Sequence, residues 1–402
     1  MFANLFPTLS RPAFAALACL AASACSAQDF NAAPPNARGQ TQAFAAQTRA
    51  PVLDAGQSLT RELIAGGLRN PWGMDQLPDG RWIVTERGGG LRLIDGDGAV
   101  SEPITGLPKV DARGQGGLLD VVVRDDFDQT RRLWWSYSEP RGGDRNGLSV
   151  ATGVLSADDG SLDEVKVIFR QMPAWASTLH YGSRLVFDRE GALFVTTGER
   201  SLPEPRRLAQ DVGTHLGKVL RIAPGGGAAT GNPDISGALP EIWSWGHRNI
   251  QSAALAPDGA LWTVEHGPRG GDELNRPAPG ANHGWPEVTY GVEYSGGTVG
   301  EGLTTREDVA QPLYYWDPVI APSGMVFYEG ALFPDWQGDV LIGALAGRAL
   351  VRLQLHGGEV RGEARYLQGS DRVRDVDVAR EDGAVMILVD GSDGALVRVT
   401  PG

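Results

Sequence analysis

A short signature recurs along this chain: an acidic residue and a glycine, followed by a run of β-branched or aromatic residues. Pro78-Asp79-Gly80 precedes Trp82-Ile83-Val84-Thr85, and Glu190-Gly191 precedes Leu193-Phe194-Val195-Thr196. Pro257-Asp258-Gly259 precedes Leu261-Trp262-Thr263-Val264, and Asp382-Gly383 precedes Val385-Met386-Ile387-Leu388-Val389. Glycine accepts the positive φ that a tight hairpin turn requires, so each instance is a hairpin signal. Apolar spacing at i, i+3, i+4 is hard to find after residue 60, which argues against helices. The 55 glycines and 26 prolines among 402 residues fit a turn-rich chain. Repeated antiparallel units with one hairpin signature each predict an all-β, six-bladed β-propeller of four-stranded blades. The count follows from about 340 residues at roughly 50 to 60 per blade. A rival array of two-sheet sandwiches needs a linker-like break in mid-chain, and none is visible.

The first 25 residues read as a leader. Arg11 precedes an apolar run from Ala13 to Ala22, and Ala22-Ser23-Ala24-Cys25 supplies small residues for cleavage. This predicts a periplasmic or otherwise exported protein. Cys25 also has the setting of a bacterial lipobox, so a lipid anchor at Cys25 and simple removal with the leader are both open. Cys19 and Cys25 are the only cysteines, which leaves no disulfide framework beyond them. Residues 26–59, rich in Ala, Gln, Asn and Pro, read as a flexible tether, with the propeller domain over residues 60–402. The net charge of -13 argues against nucleic acid and against electrostatic docking to anionic lipid.

GxSxG, HExxH, CxxC and Walker sequences are all absent, so nucleotide chemistry is not expected. Four other constellations stand out. His180 opens His-Tyr-Gly-Ser-Arg, directly before Leu185-Val186-Phe187. A histidine there suits a general base near neutral pH, or a capped loop histidine. Gly246-His247-Arg248-Asn249 offers a planar donor fork beside an amide, suited to carboxylates or carbonyls on a planar ligand; a self-braced loop is the alternative. Glu265-His266-Gly267-Pro268-Arg269-Gly270-Gly271-Asp272-Glu273 combines turning carbonyls with two adjacent carboxylates. That suits calcium, or a solvated acidic turn. In Arg372-Val373-Arg374-Asp375, strand alternation puts both arginines on one face. They suit a multi-carboxylate ligand, or form a surface charge ladder.

Taken in order, these segments resemble the soluble PQQ-dependent aldose sugar dehydrogenases, a quinoprotein family of glucose/sorbosone dehydrogenase type. Gly114-Gln115-Gly116-Gly117-Leu118-Leu119-Asp120, Asn282-His283-Gly284-Trp285-Pro286 and Tyr294-Ser295-Gly296 belong to the same ordered set, which spans the chain from about residue 60 onward. The resemblance implies that pyrroloquinoline quinone (PQQ) lies over the channel mouth, held by Gln115, Arg248, Asn249, Tyr294, Arg372 and Arg374. The segment Ala344-Leu345-Ala346 would border the same cofactor. Calcium would sit on the carbonyls of Gly267 and Pro268, with a second, structural calcium at Glu273 and the carbonyl of His283. By the same resemblance His180 takes the proton of the anomeric hydroxyl of an aldose and Arg248 steadies the developing oxyanion. The product is a lactone, and electrons then pass to an acceptor such as a quinone, a cytochrome or a dye. Three positions depart from the family pattern: Ala346 where lysine is frequent, Ile250 where proline is common, and His283 where tyrosine is usual. Arg348, two residues after Ala346, could replace the lysine charge or point away. A calcium-dependent lactonase or other hydrolase, and a non-catalytic binding propeller, are the alternatives on the same fold.

Overall fold

A computed structural model describes residues 29–402; the leader reading, with Cys19 and Cys25, lies outside the described residues. Six antiparallel sheets form a ring. In each, the first strand lines the central axis: Pro71–Gln76, Leu118–Val123, Gly182–Phe187, Ile250–Leu255, Pro322–Phe327 and Val373–Val378. We number the blades 1 to 6 in that order. Blades 2 to 6 have four regular strands each. Blade 1 has three, and its fourth place is taken by an irregular segment in which Ser101 and Ile104 donate to the carbonyls of Leu93 and Leu91, both at 2.9 Å. Pro103 lies between them and has no N–H for a continuous ladder.

The ring closes by pairing the two ends of the domain. Leu59–Leu68 becomes the outer strand of blade 6, antiparallel to Gly394–Pro401, with Leu59 opposite Pro401 and Leu68 opposite Gly394. This closure leaves no open edge between first and last blade. Period-two alternation explains the packing, because successive strand residues face different neighbouring blades. Leu193 and Val195 enter the core between blades 2 and 3, whereas Phe194 enters the core between blades 3 and 4. Each of the six blade interfaces carries its own apolar cluster.

The four hairpin signatures all join the first strand of a blade to the second, in blades 1, 3, 4 and 6. Their glycines, Gly80, Gly191, Gly259 and Gly383, take φ between 82° and 90°. Blades 2 and 5 use longer connections through the short helix Phe127–Thr130 and the 3-10 turn Pro334–Trp336, which is why the repeat looks ragged.

One expectation needs correction. Residues 29–58 do not dangle as a tether. They run along blades 4 and 5, with Gln47 and Ala50 buried and Val52 bridged to Glu363. Polar anchors, not an apolar stripe, hold this segment, so its composition gave no sign of order. No helix among the described residues is long and apolar enough to cross a membrane.

Candidate active site

All six innermost strands start on one face of the ring, and the residues at their starts converge on the channel mouth. Trp72, Gln115, Gly182, Asn249, Ala321 and Arg374 come from blades 1 to 6 in turn and wall a cavity of about 350 Å3. Four non-glycine residues at these starts, Asn70, His180, Ser183 and Ala321, take positive φ of 49°, 48°, 106° and 49°. Such backbone costs about 1–3 kcal/mol per residue and concentrates at functional sites.

An ion cluster braces the floor. Arg184 donates from Nη1 to Asp120 Oδ1 at 2.9 Å and to Asp375 Oδ2 at 3.0 Å, tying blades 3, 2 and 6 together. Its guanidinium lies 4.8 Å from the centre of the Trp72 ring. The Leu185 and Met74 N–H groups also donate to these carboxylates, at 2.7 and 3.0 Å. Buried charges persist where such extra hydrogen bonds offset desolvation.

The cavity wall carries excess positive charge. Arg87, Arg372 and Arg374 line it, and Asp390 is the single carboxylate among the lining residues. Arg372 donates from Nε to Asp390 Oδ2 at 3.2 Å, and Arg374 Nη2 is 3.6 Å from the same oxygen. Arg374 Nε is buried without a partner. Burial pushes Arg374 down to about 10, so it stays charged at neutral pH. The two arginines expected on one face therefore do share it, and the wall suits an occupant with several carboxylates.

His180 directly precedes Tyr181 and Gly182 of the cavity lining without being a lining residue itself, and 6% of its surface is exposed. Its backbone N–H donates to Gln115 Oε1 at 2.9 Å, and its Nδ1 faces Glu199 Oε1 at 3.1 Å. Burial and then the charge of Arg248 hold His180 below the ordinary histidine value. Burial works against ionisation of Glu199, but the His180 hydrogen bond, the charge of Arg248 and the Ser201 N–H favour it, and the carboxyl lies below its usual range. The consistent state is a neutral imidazole donating Nδ1–H to a carboxylate, with the lone pair on Nε2. Asn249 Oδ1 accepts from Gly182 N–H at 3.1 Å, which joins the two strand starts.

Arg248 is fixed from several sides. Its N–H donates to Glu265 Oε2 at 2.6 Å and its Nη1 to the His266 carbonyl at 2.9 Å. The guanidinium lies 5.2 Å from the Trp285 ring centre, and its Nε is buried without a partner. Tyr294 is 69% exposed and outside the cavity wall, yet its hydroxyl is 3.4 Å from Arg248 Nη2.

Leu345 and Ala346 line the cavity, but Ala344 does not. It is fully buried in the strand Val340–Ala344, opposite Pro322 and Ala349. Arg348 donates to the Ser370 carbonyl at 2.5 Å and is not a lining residue, so it does not restore a charge beside Ala346.

The glycine-rich loop is built on Asp272. Asp272 Oδ1 accepts from Gly267 N–H at 2.8 Å, and Oδ2 accepts from Ile320 and Ala321 N–H at 2.9 and 2.8 Å. Three of its roughly four lone-pair sites thus go to backbone N–H groups, so Asp272 braces the loop and has little capacity left for a cation. The Gly267 and Pro268 carbonyls accept no hydrogen bond among the described residues. A Cβ on Gly267 would lie 2.2 Å from the Gly271 carbonyl oxygen, so only glycine fits. Nearby, Glu265, Glu273 and His283, together with Arg248 and Gly267, border a small space of about 10 Å3, at the lower limit for one water-sized occupant. Asn275 Nδ2 donates to Glu265 Oε1 at 3.0 Å and to Glu273 Oε2 at 3.1 Å. Burial, then the charge of Glu265, pushes Glu273 well above the usual carboxylate range. The described residues contain no cluster of three or more His, Cys, Asp or Glu side chains suited to a metal, so cation binding here would need carbonyl oxygens beside any single carboxylate.

Sequence reasoning missed Glu199, Arg87 and Asp390. Arg87 and Asp390 directly follow the second strands Trp82–Glu86 and Val385–Val389, and Glu199 follows the second strand Leu193–Thr197 after one intervening residue, where the chain returns to the mouth. A charged residue just after an apolar strand run was the available signal.

The family described as glucose/sorbosone dehydrogenase matches residues 68–398. Over 348 residues the chain is 42% identical to the aldose sugar dehydrogenase YliI of Escherichia coli K12, covering 85% of this chain and 92% of the relative. The apo crystal structure of the soluble aldose sugar dehydrogenase from Escherichia coli is similar at a TM-score of 0.80 and 39% identity, covering 86% of this chain and all of that one. The PQQ-bound aldose sugar dehydrogenase of Streptomyces coelicolor is similar at a TM-score of 0.71 and 25% identity, covering 85% of this chain and 99% of that one.

Proposed function

Since the chain belongs to the glucose/sorbosone dehydrogenase family and is an oxidoreductase of sugar dehydrogenase type, we propose that it oxidises aldoses at the anomeric carbon to lactones, with PQQ and calcium as cofactors. The observation that carries this reading is the channel mouth itself. Three guanidinium groups face one carboxylate there, and the lining residues Tyr181 and Gly182 directly follow a neutral, carboxylate-paired histidine. A hydrolase that activates water would have no need of that arginine excess.

The residues present fit a planar, multi-carboxylate quinone. Arg372, Arg374 and Arg87 supply donors for its acid groups, including the unpartnered Arg374 Nε. Gln115 and Asn249 spend their carbonyl oxygens on backbone, which leaves both amide NH2 groups for the occupant. Trp72 and Leu119 supply apolar wall. The free Gly267 and Pro268 carbonyls suit one calcium, and Glu273 with the His283 carbonyl suits a second. When bound, the quinone supplies the electron sink that accepts hydride, and calcium polarises its carbonyl.

His180 then takes the proton of the anomeric hydroxyl on Nε2. Glu199 stabilises the imidazolium that forms and keeps Nδ1 protonated throughout. Arg248 holds negative charge that develops near its Nε. Outside the cytoplasm, as the leader predicts, electrons would leave to a quinone or cytochrome acceptor.

The test is direct. Purified protein is loaded with PQQ and calcium, given aldoses, and followed by reduction of a dye. Hydrolysis of lactones without PQQ, together with no sugar-dependent reduction, would sink the proposal.

Two further outcomes follow from the His180–Glu199 pair. His180 works as a base only when neutral, and its value is held below 6.5. The acid limb of kcat/KM should therefore fall below that pH, with activity present above the limb and lost as pH drops through it. A limb at or above the ordinary histidine value would contradict the neutral, buried imidazole. Glu199→Gln keeps an acceptor but removes the charge. It should lower kcat about 10- to 100-fold, the worth of one charge-assisted hydrogen bond at ~1.5–3 kcal/mol, with little change in KM. An equal fall in quinone binding would show that Glu199 shapes the cavity instead.

A further inference from the structure

The segment before the propeller is a strap across the outer edge of blade 4. Asn36 and Ala37 N–H groups donate to Asp317 Oδ1 and Oδ2 at 2.7 and 2.9 Å. Gln40 Nε2 donates to the Gly291 carbonyl at 3.3 Å. Tyr315 N–H donates to the Gln47 carbonyl at 2.8 Å. Gln47 is fully buried; it donates to the Pro312 carbonyl at 3.0 Å and accepts from the Tyr290 hydroxyl at 3.0 Å. The strap ends by pairing with blade 5, where Leu53 N–H donates to the Glu363 carbonyl at 2.8 Å.

These anchors lie one layer from the glycine-rich loop. Gly271 N–H donates to the Trp316 carbonyl at 2.9 Å, and Trp316 stands opposite Asp272 in the sheet. A Cβ on Gly270 would lie 3.0 Å from the Asp317 carboxylate. A Cβ on Gly291 would lie 2.4 Å from the Gly270 carbonyl oxygen and 2.6 Å from the Pro268 ring. The strap's anchors and the loop are thus packed without slack. The strand Tyr314–Trp316 has three residues and would be a bare outer edge without the strap. The strap also lies outside residues 68–398, the part that the family matches.

We propose that residues 29–53 are a clamp that holds the Gly267–Gly271 loop in the shape presenting the Gly267 and Pro268 carbonyls to calcium. The proposal rests on the calcium assignment made above. A loop that leaves this shape binds more weakly in proportion to its competent fraction. The clamp acts through Asp317, Tyr315 and Gly291, and none of its residues lines the cavity.

The test uses PQQ-free protein, with calcium titrated by calorimetry and amide hydrogen exchange followed by NMR. Gly267→Ala in the full chain marks which binding signal belongs to the loop. Gln47→Ala, and separately removal of residues 29–53, should weaken that signal about tenfold if the freed loop is competent about a tenth of the time. Exchange at the Gly267 and Gly271 amides should quicken while blades 1 and 2 keep their protection. Unchanged affinity with unchanged exchange at those amides overturns the clamp. If the full chain shows no calcium signal sensitive to Gly267→Ala, the calcium assignment itself fails and the clamp falls with it. Should the shortened chain not fold, Gln47→Ala decides on the same two readouts.

Discussion

His180→Ala should lower kcat about 10²- to 10⁴-fold, the usual worth of a positioned general base, while quinone binding in the absence of sugar is kept. That loss corresponds to roughly 3–5 kcal/mol of barrier. The separation is expected because Gln115 holds the backbone of residue 180, not its imidazole. Removing the ring therefore leaves the wall in place and removes the proton acceptor. Residue 180 has φ of 48°, which asparagine tolerates better than alanine. His180→Asn is accordingly the companion variant, free of added backbone strain, and it should lose as much. Stopped-flow reduction with one sugar separates chemistry from later electron transfer. Unchanged turnover in both variants would remove His180 as the base, whereas lost quinone binding would make it a cofactor contact.

The propeller was legible wherever a hairpin demanded glycine. Gly80, Gly191, Gly259 and Gly383 each mark the same connection in a different blade, because no other residue takes positive φ so cheaply. Blades 2 and 5 lack that mark, since Phe127–Thr130 and Pro334–Trp336 replace the tight turn. The strap was illegible for a different reason. Its partners, Asp317 and Glu363, lie hundreds of residues away, and Gln47 is buried by polar bonds that no hydropathy pattern reports. In the site, Arg372 and Arg374 were readable from alternation. The bracing role of Asp272 was not readable, because a carboxylate's role depends on where its lone pairs go, and here three backbone N–H groups donate to it. Glu199 was missed because, until the fold brings it to His180, it is one acid among many.

The charge of the wall leads to the second large effect. Arg372→Ala combined with Arg374→Ala should weaken quinone binding about 10²- to 10⁴-fold, taking ~1.5–3 kcal/mol for each charge-assisted hydrogen bond removed. Both side chains share Asp390, so the changes couple, and the single variants need not sum to the double. Removing both also leaves Asp390 as a lone carboxylate among the lining residues, with only Arg87 to oppose it. The remaining field would then be close to neutral and would no longer favour a multi-carboxylate occupant. Ala346 carries no charge and Arg348 turns to Ser370, so neither adds to the positive charge that Arg372 and Arg374 bring to the cavity. The measurement is a quinone titration without sugar, at two salt concentrations. A wall that works by charge gives the wild type a salt-dependent affinity that the double variant lacks. Equal affinity in both proteins would mean that the arginines only brace Asp390 and that the cofactor is held elsewhere.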